Sequence, residues 1–307
     1  MEIIKENTVV PYEKTAVVLG NFDGLHIAHT AIIKNGTEYA RKHNVKSGVL
    51  LFEENTKSVT EEKCVRLITD NDEKLRLLRD MSVDFVYMVR FDREFMKKTP
   101  EEFISHIVRY LKPEAVFAGY DYRFGYKASG DTAILKRLGE AYGFKADIMP
   151  EIQSDGITVS STLIRELIEN GDVKRANKLL GRNFELRGAV EYGLQNGRKM
   201  GFPTANLAYD SRMVIPHTGV YAGYTYFDNE QYESVINVGN NPTFNAREIT
   251  IESNIFDFDR DIYGCDIRVS FVEKIRGDIK FSGMEELKRQ IASDAEKART
   301  ILRKGSV

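Results

Sequence analysis

Residues 15–29 read Thr15-Ala-Val-Val-Leu-Gly-Asn-Phe-Asp-Gly-Leu-His-Ile-Ala-His29, and they indicate how the first half of the chain folds. The first residues of this stretch have the pattern of a buried strand, and Gly20 to Gly24 then turn the chain into a helix that should begin near Leu25. His26 and His29 are three residues apart and therefore share one face of the first helical turn. Because unpaired backbone N–H groups and the positive end of the helix dipole favour anions there, the segment predicts a phosphate site.

A zinc pair and ordinary polar residues at a helix start are the alternatives for these two histidines. Zinc would need a third ligand, and neither a cysteine nor a glutamate stands at a suggestive spacing. The chain has only five histidines, and two of them fall in this short segment. That concentration favours the phosphate site over functionless surface residues.

Outward from this stretch, short apolar runs alternate with amphipathic helical patterns through the first half of the chain. The runs span residues 15–20, 47–52, 84–91, 114–119 and 145–152, and the helical patterns span residues 26–43, 70–81, 99–111 and 131–143. Alternation of this kind predicts a parallel sheet covered by helices on both faces, with ligands at the carboxyl ends of its strands.

The pattern changes after Gly181, where β-rich runs separated by Gly, Asn and Pro loops replace the helices. These runs span residues 184–192, 219–227, 234–238, 249–258 and 267–275. They predict an antiparallel sheet or a small barrel, and a capping box at Ser282-Gly-Met-Glu285 predicts a final helix. We therefore predict two domains, residues 1–182 and residues 183–307.

The bulk properties of the chain exclude several classes of partner. The net charge of −2 gives no basic field for nucleic acid, and no apolar run approaches the roughly 20 residues that span a membrane. The two cysteines, Cys64 and Cys265, lie far apart without metal-ligand spacing, and the first residues lack a signal peptide pattern. We expect a cytoplasmic protein whose ligands are small molecules; the sequence predicts no oligomeric state.

A second candidate site lies in Gly197-Arg-Lys-Met-Gly-Phe-Pro-Thr-Ala-Asn206. Thr204 and Asn206 present neutral oxygen donors two positions apart in an extended segment. Together with phosphate oxygens of a ligand, such donors can complete the shell of a Mg²⁺ ion that keeps several waters. Pro203 fixes the approach of the chain, and Gly201 leaves the preceding loop free to close over phosphates. A plain surface turn is the alternative for the short Pro-Thr-Ala-Asn motif alone.

The first stretch resembles the Gly-x-Phe-Asp-Gly-x-His-x-Gly-His signature of the nucleotidyltransferase superfamily. In particular, it resembles the amino-terminal domain of the bacterial bifunctional riboflavin kinase/FAD synthetase family. The resemblance implies a Rossmann-like nucleotidyltransferase domain in which His26 and His29 stabilise phosphate charge. The nucleotide-binding residues implied in this segment are Gly20, Phe22, Asp23 and Gly24.

Two further segments are similar to elements of the same family. Val159-Ser160-Ser161-Thr162-Leu-Ile-Arg165 resembles a helix start that holds the triphosphate through hydroxyl groups and an arginine one turn later. Gly119-Tyr-Asp121-Tyr-Arg123-Phe-Gly125 through Gly130-Asp131 resembles a stretch that contributes to the adenine-nucleotide and flavin sites. The resemblance thus adds Ser160, Ser161, Thr162, Arg165, Asp121 and Arg123 to the expected nucleotide and flavin contacts.

Residues from Phe184 to Asn206 resemble the riboflavin kinase domain of this family, an antiparallel β-barrel with a C-terminal helix. The resemblance implies that Glu252 accepts the proton of the riboflavin hydroxyl and that the region of Arg276 helps to enclose the flavin. It implies phosphorylation of riboflavin by ATP to FMN, followed by adenylylation of FMN to FAD with release of pyrophosphate. The implied ligands are riboflavin, FMN, ATP and Mg²⁺.

Three departures from the family pattern lie in the first half. Ala28 stands where a glycine is usual, Ala128 stands where an arginine is common, and Glu53-Glu-Asn-Thr56 replaces an apolar strand end followed by Pro-His-Pro. Two carboxylates near a polyphosphate site would raise the local negative potential. The departures leave open a riboflavin kinase with a weakened or lost adenylyltransferase. A non-catalytic flavin-binding regulator is the other alternative, which the Thr204, Asn206 and Glu252 set disfavours.

Overall fold

The computed structural model describes residues 1–53, 65–192, 202–243 and 246–304, with the side chains of residues 241–248 left undescribed. The chain divides into two compact units, Met1–Ser161 and Thr162–Val307. This division precedes residue 182 because the short helices after Ser161 pack in the second unit, where Asn177 Nδ2 donates to Phe271 O at 2.8 Å. The predicted boundary between residues 182 and 183 separates two functional domains, not two compact units, and it stays a prediction.

The first unit contains a six-stranded parallel sheet, as the alternating pattern predicts. Its order is β1-β4-β3-β2-β5-β6, so the chain direction across the sheet reverses between β2 and β5. The strands are β1 (Glu2–Lys5), β2 (Thr15–Val18), β3 (Lys46–Phe52), β4 (Phe85–Val89), β5 (Pro113–Gly119) and β6 (Lys145–Met149), followed by a small pair, β7 (Gln153–Ser154) and β8 (Ile157–Thr158). The sequence pattern missed β1 because this edge strand is only four residues long and mostly exposed.

Among the described residues of this unit, four α-helices cover the sheet: α1 (Ile27–His43), α2 (Asn71–Asp80), α3 (Pro100–Leu111) and α4 (Thr132–Tyr142). Thr99 and Glu102 form the capping box of α3, and the Asp70 side chain caps α2. The start of α1 lies two residues later than predicted, because Leu25 adopts a left-handed φ of 40° and His26 caps the helix.

The core of the first unit lies on both faces of the sheet. Val17 and Leu19 of the β2 segment belong to one buried cluster, and Ala16 and Val18 belong to the other. Successive side chains of a strand point to opposite faces, so a strand that is apolar throughout is buried on both. Helices on the two faces therefore leave the strand ends as the accessible edge of the sheet.

The second unit is a closed antiparallel barrel of order β10-β13-β12-β11-β14-β9. Its strands are β9 (Phe184–Glu191), β10 (Ala205–Tyr209), β11 (Gly219–Phe227), β12 (Glu230–Thr243), β13 (Ala246–Ile255) and β14 (Asp266–Arg276), and its helices are α5 (Ser161–Glu169), α6 (Val173–Leu180) and α7 (Met284–Lys304). Ala298 and Leu302 of α7 pack against Ala222 and Phe256 of the barrel. The predicted cap of α7 uses Glu286 instead of Glu285, since Glu286 accepts from Ser282 N at 2.8 Å. In the described part of the chain, no helix is long and apolar enough to cross a membrane.

Candidate active sites

The first candidate site is the turn of residues 20–29 between β2 and α1, which we call the histidine turn. It follows β2 where the strand order reverses, and this is where open α/β sheets bind ligands. Phe22 has a φ of 48°, a left-handed value that a non-glycine residue rarely adopts. A Cβ on Gly20 would lie 2.8 Å from the Phe22 ring, so this turn requires a glycine. Backbone conformations of this kind are concentrated at functional sites.

Asp23 is the structural centre of the histidine turn. Its buried carboxylate accepts hydrogen bonds from Ile68 N at 3.0 Å and from Thr69 N at 3.3 Å. The Thr69 hydroxyl in turn accepts from Gly24 N at 2.9 Å, and Ser161 Oγ donates to the Asp23 carbonyl at 2.8 Å. Asp23 thus joins the histidine turn to Ser161, as a shared site requires, and to residues 68–69, which the sequence did not single out.

The two histidines lie face to face at the start of α1. Their rings stack with centroids 3.6 Å apart, and His26 Nδ1 accepts from His29 N at 3.3 Å. This bond assigns the His26 proton to Nε2 in the neutral ring, so that atom is the donor available to a ligand. His29 Nδ1 is buried and has no hydrogen-bond partner in the described chain.

The electrostatic environment keeps His29 neutral. Burial lowers the pKa of its imidazole well below the ordinary value, and the charges of His26 and Lys74 lower that pKa further. A neutral imidazole still donates one N–H hydrogen bond but brings no positive charge. His29 therefore offers a phosphate a neutral hydrogen-bond donor and no positive charge.

Lys74 is a buried cation beside this turn, on α2. Its side chain is 5% exposed, and its only hydrogen bond in the described chain is a long one from Nζ to Asn71 Oδ1, 3.5 Å. Burial lowers the pKa of its ammonium, and the charges of Asp23 and Asp70 partly offset that effect. The sequence did not identify Lys74, because a lysine in a charged amphipathic helix has the pattern of a surface residue.

The loop after β5 lies at the end of the strand next to β2. Asp121 and Arg123 are exposed there, and Arg123 Nη1 lies 3.7 Å from Asp131 Oδ2, a weak surface ion pair. Phe124 is buried and pairs with Gly130, which closes the loop. The sheet thus brings the two strand ends together, while the ligand contacts of Asp121 and Arg123 stay predictions.

The hydroxyl-rich segment begins α5. Ser160 precedes the helix, Ser161 is its first residue, and Thr162 and Arg165 follow within the first two turns. Thr162 is exposed, and Ser160 and Arg165 are half-buried. Ser161 Oγ links this segment to the histidine turn through the Asp23 carbonyl. The triphosphate contacts of all four residues stay predictions.

The structure describes the backbone at Ala28, Ala128 and Glu53, three residues that depart from the family pattern. Ala28 lies in the first turn of α1, and Ala128 adopts a left-handed φ of 55°. Glu53 N donates to Val89 O at 2.9 Å, and Asn71 Nδ2 donates to Glu53 O at 2.7 Å. The main chain of Glu53 is therefore tied to β4 and α2, while residues 54–56 lie outside the described residues.

The second candidate site is on the barrel, where β10 pairs with β13. Asn206 is directly opposite Glu252 in the register, and Thr204 Oγ1 donates to Glu252 Oε2 at 3.4 Å. Asn254 Nδ2 donates to Pro203 O at 2.8 Å and fixes the start of the motif. The structure thus brings together the predicted metal-ligating pair and the predicted base, while Gly201 lies outside the described residues.

Glu252 faces away from the barrel interior, as the strand alternation predicts. Its neighbours Ile251 and Ser253 are 1% exposed, whereas Glu252 is half-buried. Burial raises the pKa of its carboxyl, and the Thr204 hydrogen bond lowers that pKa by a smaller amount. A raised pKa makes a carboxylate a better proton acceptor, which suits a general base.

Asn237 completes a polar row across three strands and was missed by the sequence analysis. It lies directly opposite Glu252 on β12, so Asn206, Glu252 and Asn237 occupy paired positions on neighbouring strands. Directly opposed residues of an antiparallel pair present their side chains on the same face. Only the register of the barrel could reveal this row, because its members are far apart in the sequence.

Arg276 has a structural partner that the sequence did not predict. Its Nε and Nη2 both lie 2.9 Å from Asp294 Oδ2, and Gln290 Nε2 donates to the other Asp294 oxygen at 2.8 Å. The Arg276 side chain is 16% exposed and that of Asp294 is 2% exposed. The ion pair therefore ties β14 to α7, and the flavin contact expected of Arg276 stays a prediction.

Comparisons with known proteins match both halves of the chain. The FAD synthetase family model matches residues 10–163, and the riboflavin kinase family model matches residues 180–302. The bifunctional riboflavin kinase/FMN adenylyltransferase of Escherichia coli strain K12 is 36% identical over 292 residues, which cover 94% of this chain and 93% of that protein. The protein of the same description from Bacillus subtilis strain 168 is 31% identical over 292 residues, covering 93% of this chain and 92% of that protein.

A solved structure is similar over nearly the whole chain. The crystal structure of a Streptococcus pneumoniae protein described as a macrolide-efflux protein has a TM-score of 0.90 and 32% sequence identity. The match covers 97% of this chain and 99% of that chain. The two-unit architecture is therefore shared by a protein that has been solved experimentally.

Proposed function

Because this chain belongs to the bifunctional riboflavin kinase/FMN adenylyltransferase family, we propose that its two reactions use two separate sets of residues. The chain phosphorylates riboflavin to FMN and adenylylates FMN to FAD, with ATP as co-substrate in both steps. One set surrounds Glu252 on the barrel, and the other surrounds the histidine turn. The observation that carries the kinase assignment is the contact of Thr204 with Glu252 beside Asn206.

In the kinase reaction, Glu252 accepts the proton of the riboflavin 5′-hydroxyl while that oxygen bonds to the γ-phosphorus of ATP and ADP leaves. The raised pKa of Glu252 supports this role, because it brings the proton affinity of the carboxylate closer to that of a base working near neutral pH. The Thr204 hydroxyl holds one Glu252 oxygen and thereby orients the carboxylate.

Mg²⁺ is the metal that suits this donor set. Thr204 and Asn206 offer hard oxygen atoms, and no group of three or more His, Cys, Asp or Glu side chains among the described residues could form a protein-only metal cage. Mg²⁺ in nucleotide sites is held by few protein ligands together with phosphates and waters, so the residues fit it. When bound, the ion neutralises phosphate charge; Thr204 and Asn206 would hold it on the nucleotide.

In the adenylyltransferase reaction, a phosphate oxygen of FMN bonds to the α-phosphorus of ATP while the bond to the β-phosphate breaks and pyrophosphate leaves. His26 Nε2–H and the His29 ring donate hydrogen bonds to the phosphate oxygens as negative charge shifts between them. The other proposed contacts are Gly20, Phe22, Asp23, Gly24, Asp121, Arg123, Ser160, Ser161, Thr162 and Arg165. No covalent nucleophile is required, since positioning and electrostatics account for catalysis of this kind.

The two alternatives, a kinase without adenylyltransferase activity and a non-catalytic flavin-binding regulator, have less support than the bifunctional assignment. Relatives that match 94% and 93% of this chain are described as carrying both activities, which disfavours a lost adenylyltransferase. A non-catalytic flavin-binding regulator would not need a carboxylate of raised pKa next to a metal-ligating pair. We also propose that the enzyme acts in the cytoplasm on small molecules, as its charge and cysteine distribution lead us to expect.

The test is a pair of variants assayed with riboflavin, ATP and Mg²⁺, with the flavins separated by chromatography. Glu252→Gln should abolish FMN formation but still convert supplied FMN to FAD, because the residue belongs to the kinase set. His29→Ala should do the reverse. Loss of both reactions in either variant would contradict two separate sets, and unchanged FAD synthesis in His29→Ala would remove the histidine from the mechanism.

A further inference from the structure

Lys74 is a buried lysine, and the fold alone does not explain why a cation is buried there. It is 5% exposed, and within the described chain no carboxylate oxygen lies within ion-pair distance of its Nζ. A buried charge without a partner costs several kcal/mol, so lysines are rarely buried in this way. Lys74 also lies in the first turn of α2, whose positive dipole end opposes a cation.

Lys74 lies near the histidine turn, because the residues just before its helix bind that turn. Residues 68 and 69, just before α2, donate their backbone N–H groups to the Asp23 carboxylate, and Thr69 accepts from Gly24 N. The charge of Lys74 acts on both His29 and Asp23. His29 Nδ1 is buried and has no hydrogen-bond partner among the residues that the structure describes. A buried ammonium with one long hydrogen bond and an unpaired imidazole nitrogen therefore lie at the same turn, where an anionic ligand would give each of them a partner.

We propose that Lys74 binds the phosphate charge of the nucleotide in the adenylyltransferase site. The proposal rests on the proposed function of the histidine turn and adds a positive charge, which the neutral imidazole of His29 lacks. As the bond between the α- and β-phosphates of ATP breaks, negative charge accumulates on the pyrophosphate that leaves. A buried ammonium stabilises that charge more strongly than an exposed one, because little water screens it.

The proposal predicts a separation of activity from stability. Lys74→Met keeps the length of the side chain and removes the charge, so kcat/KM for FAD synthesis should fall by about 100-fold or more, as when one preorganised donor is lost. Because a buried unpaired charge is also removed, the unfolding temperature should stay unchanged or rise. A purely structural lysine would give the opposite result for stability.

The experiment compares Lys74→Met with Arg79→Met, an exposed cation on the same helix. FAD formation from FMN and ATP, pyrophosphate binding by calorimetry and thermal unfolding are measured on the full chain. We expect Lys74→Met to lose adenylylation and pyrophosphate affinity with undiminished stability, and Arg79→Met to match the wild type. Adenylylation within about twofold of wild type would overturn the proposal, as would a loss of adenylylation accompanied by a lower unfolding temperature. A wild-type chain that forms no FAD would instead contradict the function proposed for the histidine turn.

Discussion

Removing Arg276 should destabilise the barrel unit strongly, because the buried carboxylate of Asp294 would lose its positively charged partner. Asp294 is 2% exposed, and Arg276 supplies two contacts of 2.9 Å to one of its oxygens. Breaking a buried ion pair by deleting one partner costs about 3–5 kcal/mol. For a unit of the size of Thr162–Val307, that cost corresponds to a fall in unfolding temperature of roughly 10–20 °C.

A double variant separates the ion pair from the packing around it. Arg276→Met with Asp294→Leu removes both charges and fills the space with apolar groups, so it should recover most of the stability lost in Arg276→Met. The matched control is Arg187→Met on β9 of the same barrel, because the Arg187 side chain is 51% exposed and that of its partner Asp266 is 63% exposed. That surface pair contributes about 0–1 kcal/mol, so its loss should hardly change the unfolding temperature.

The assay is calorimetric unfolding of the full chain, with riboflavin kinase activity measured in parallel. A loss below about 1 kcal/mol in Arg276→Met would refute the buried-pair argument. Failure of the double variant to recover would show that packing, and not the stranded charge, determines the effect. The double variant also tests the expected flavin contact: restored stability with a raised KM for riboflavin would assign that second role to Arg276.

Two further predictions concern the kinase site. Because burial raises the pKa of Glu252 above its ordinary value of 4.5, the carboxylate protonates at a higher pH than an exposed glutamate. The kinase kcat/KM should therefore begin to fall at a correspondingly higher pH as the solution is acidified; a rate that stays constant down to pH ~4 would contradict the role of Glu252 as base. Asn206→Ala should raise the Mg²⁺ concentration needed for half-maximal FMN formation by about tenfold, and FAD synthesis from FMN serves as the internal control. An unchanged Mg²⁺ requirement would exclude Asn206 as a ligand.

Much of the fold could be predicted from local patterns. Apolar runs and capping residues locate most strands and helices of the first unit, because strand burial and helix capping depend on residues close in sequence. The alternation around Glu252 also predicts its side correctly, since successive strand residues face opposite ways. The short, exposed strand β1 was missed because neither apolar content nor alternation marks it.

The arrangement of the first site could not be predicted in the same way. Asp23 contacts residues 45 and 138 positions away, and no local pattern encodes such pairings. The position of His26 as the helix cap depends on the left-handed conformation of Leu25, and the sequence pattern does not predict that conformation. The burial of Lys74 and the pairing of Arg276 with Asp294 arise from tertiary packing, so a charged residue that looks solvated in the sequence is enclosed in the fold.

Burial favours the uncharged form of a functional group at each site, with opposite chemical consequences. It raises the pKa of Glu252, which makes its carboxylate a stronger base, and lowers the pKa of His29, which leaves a neutral donor. In both cases the folded state disfavours ionisation, so the charged forms of Glu252 and His29 reduce stability instead of adding to it. Asp294 differs because Arg276 and Gln290 satisfy its carboxylate. Substitution therefore distinguishes the two kinds of buried group. Removing the side-chain function of Glu252 or His29 should reduce activity first, whereas removing the Arg276 charge that pairs with Asp294 should reduce stability first.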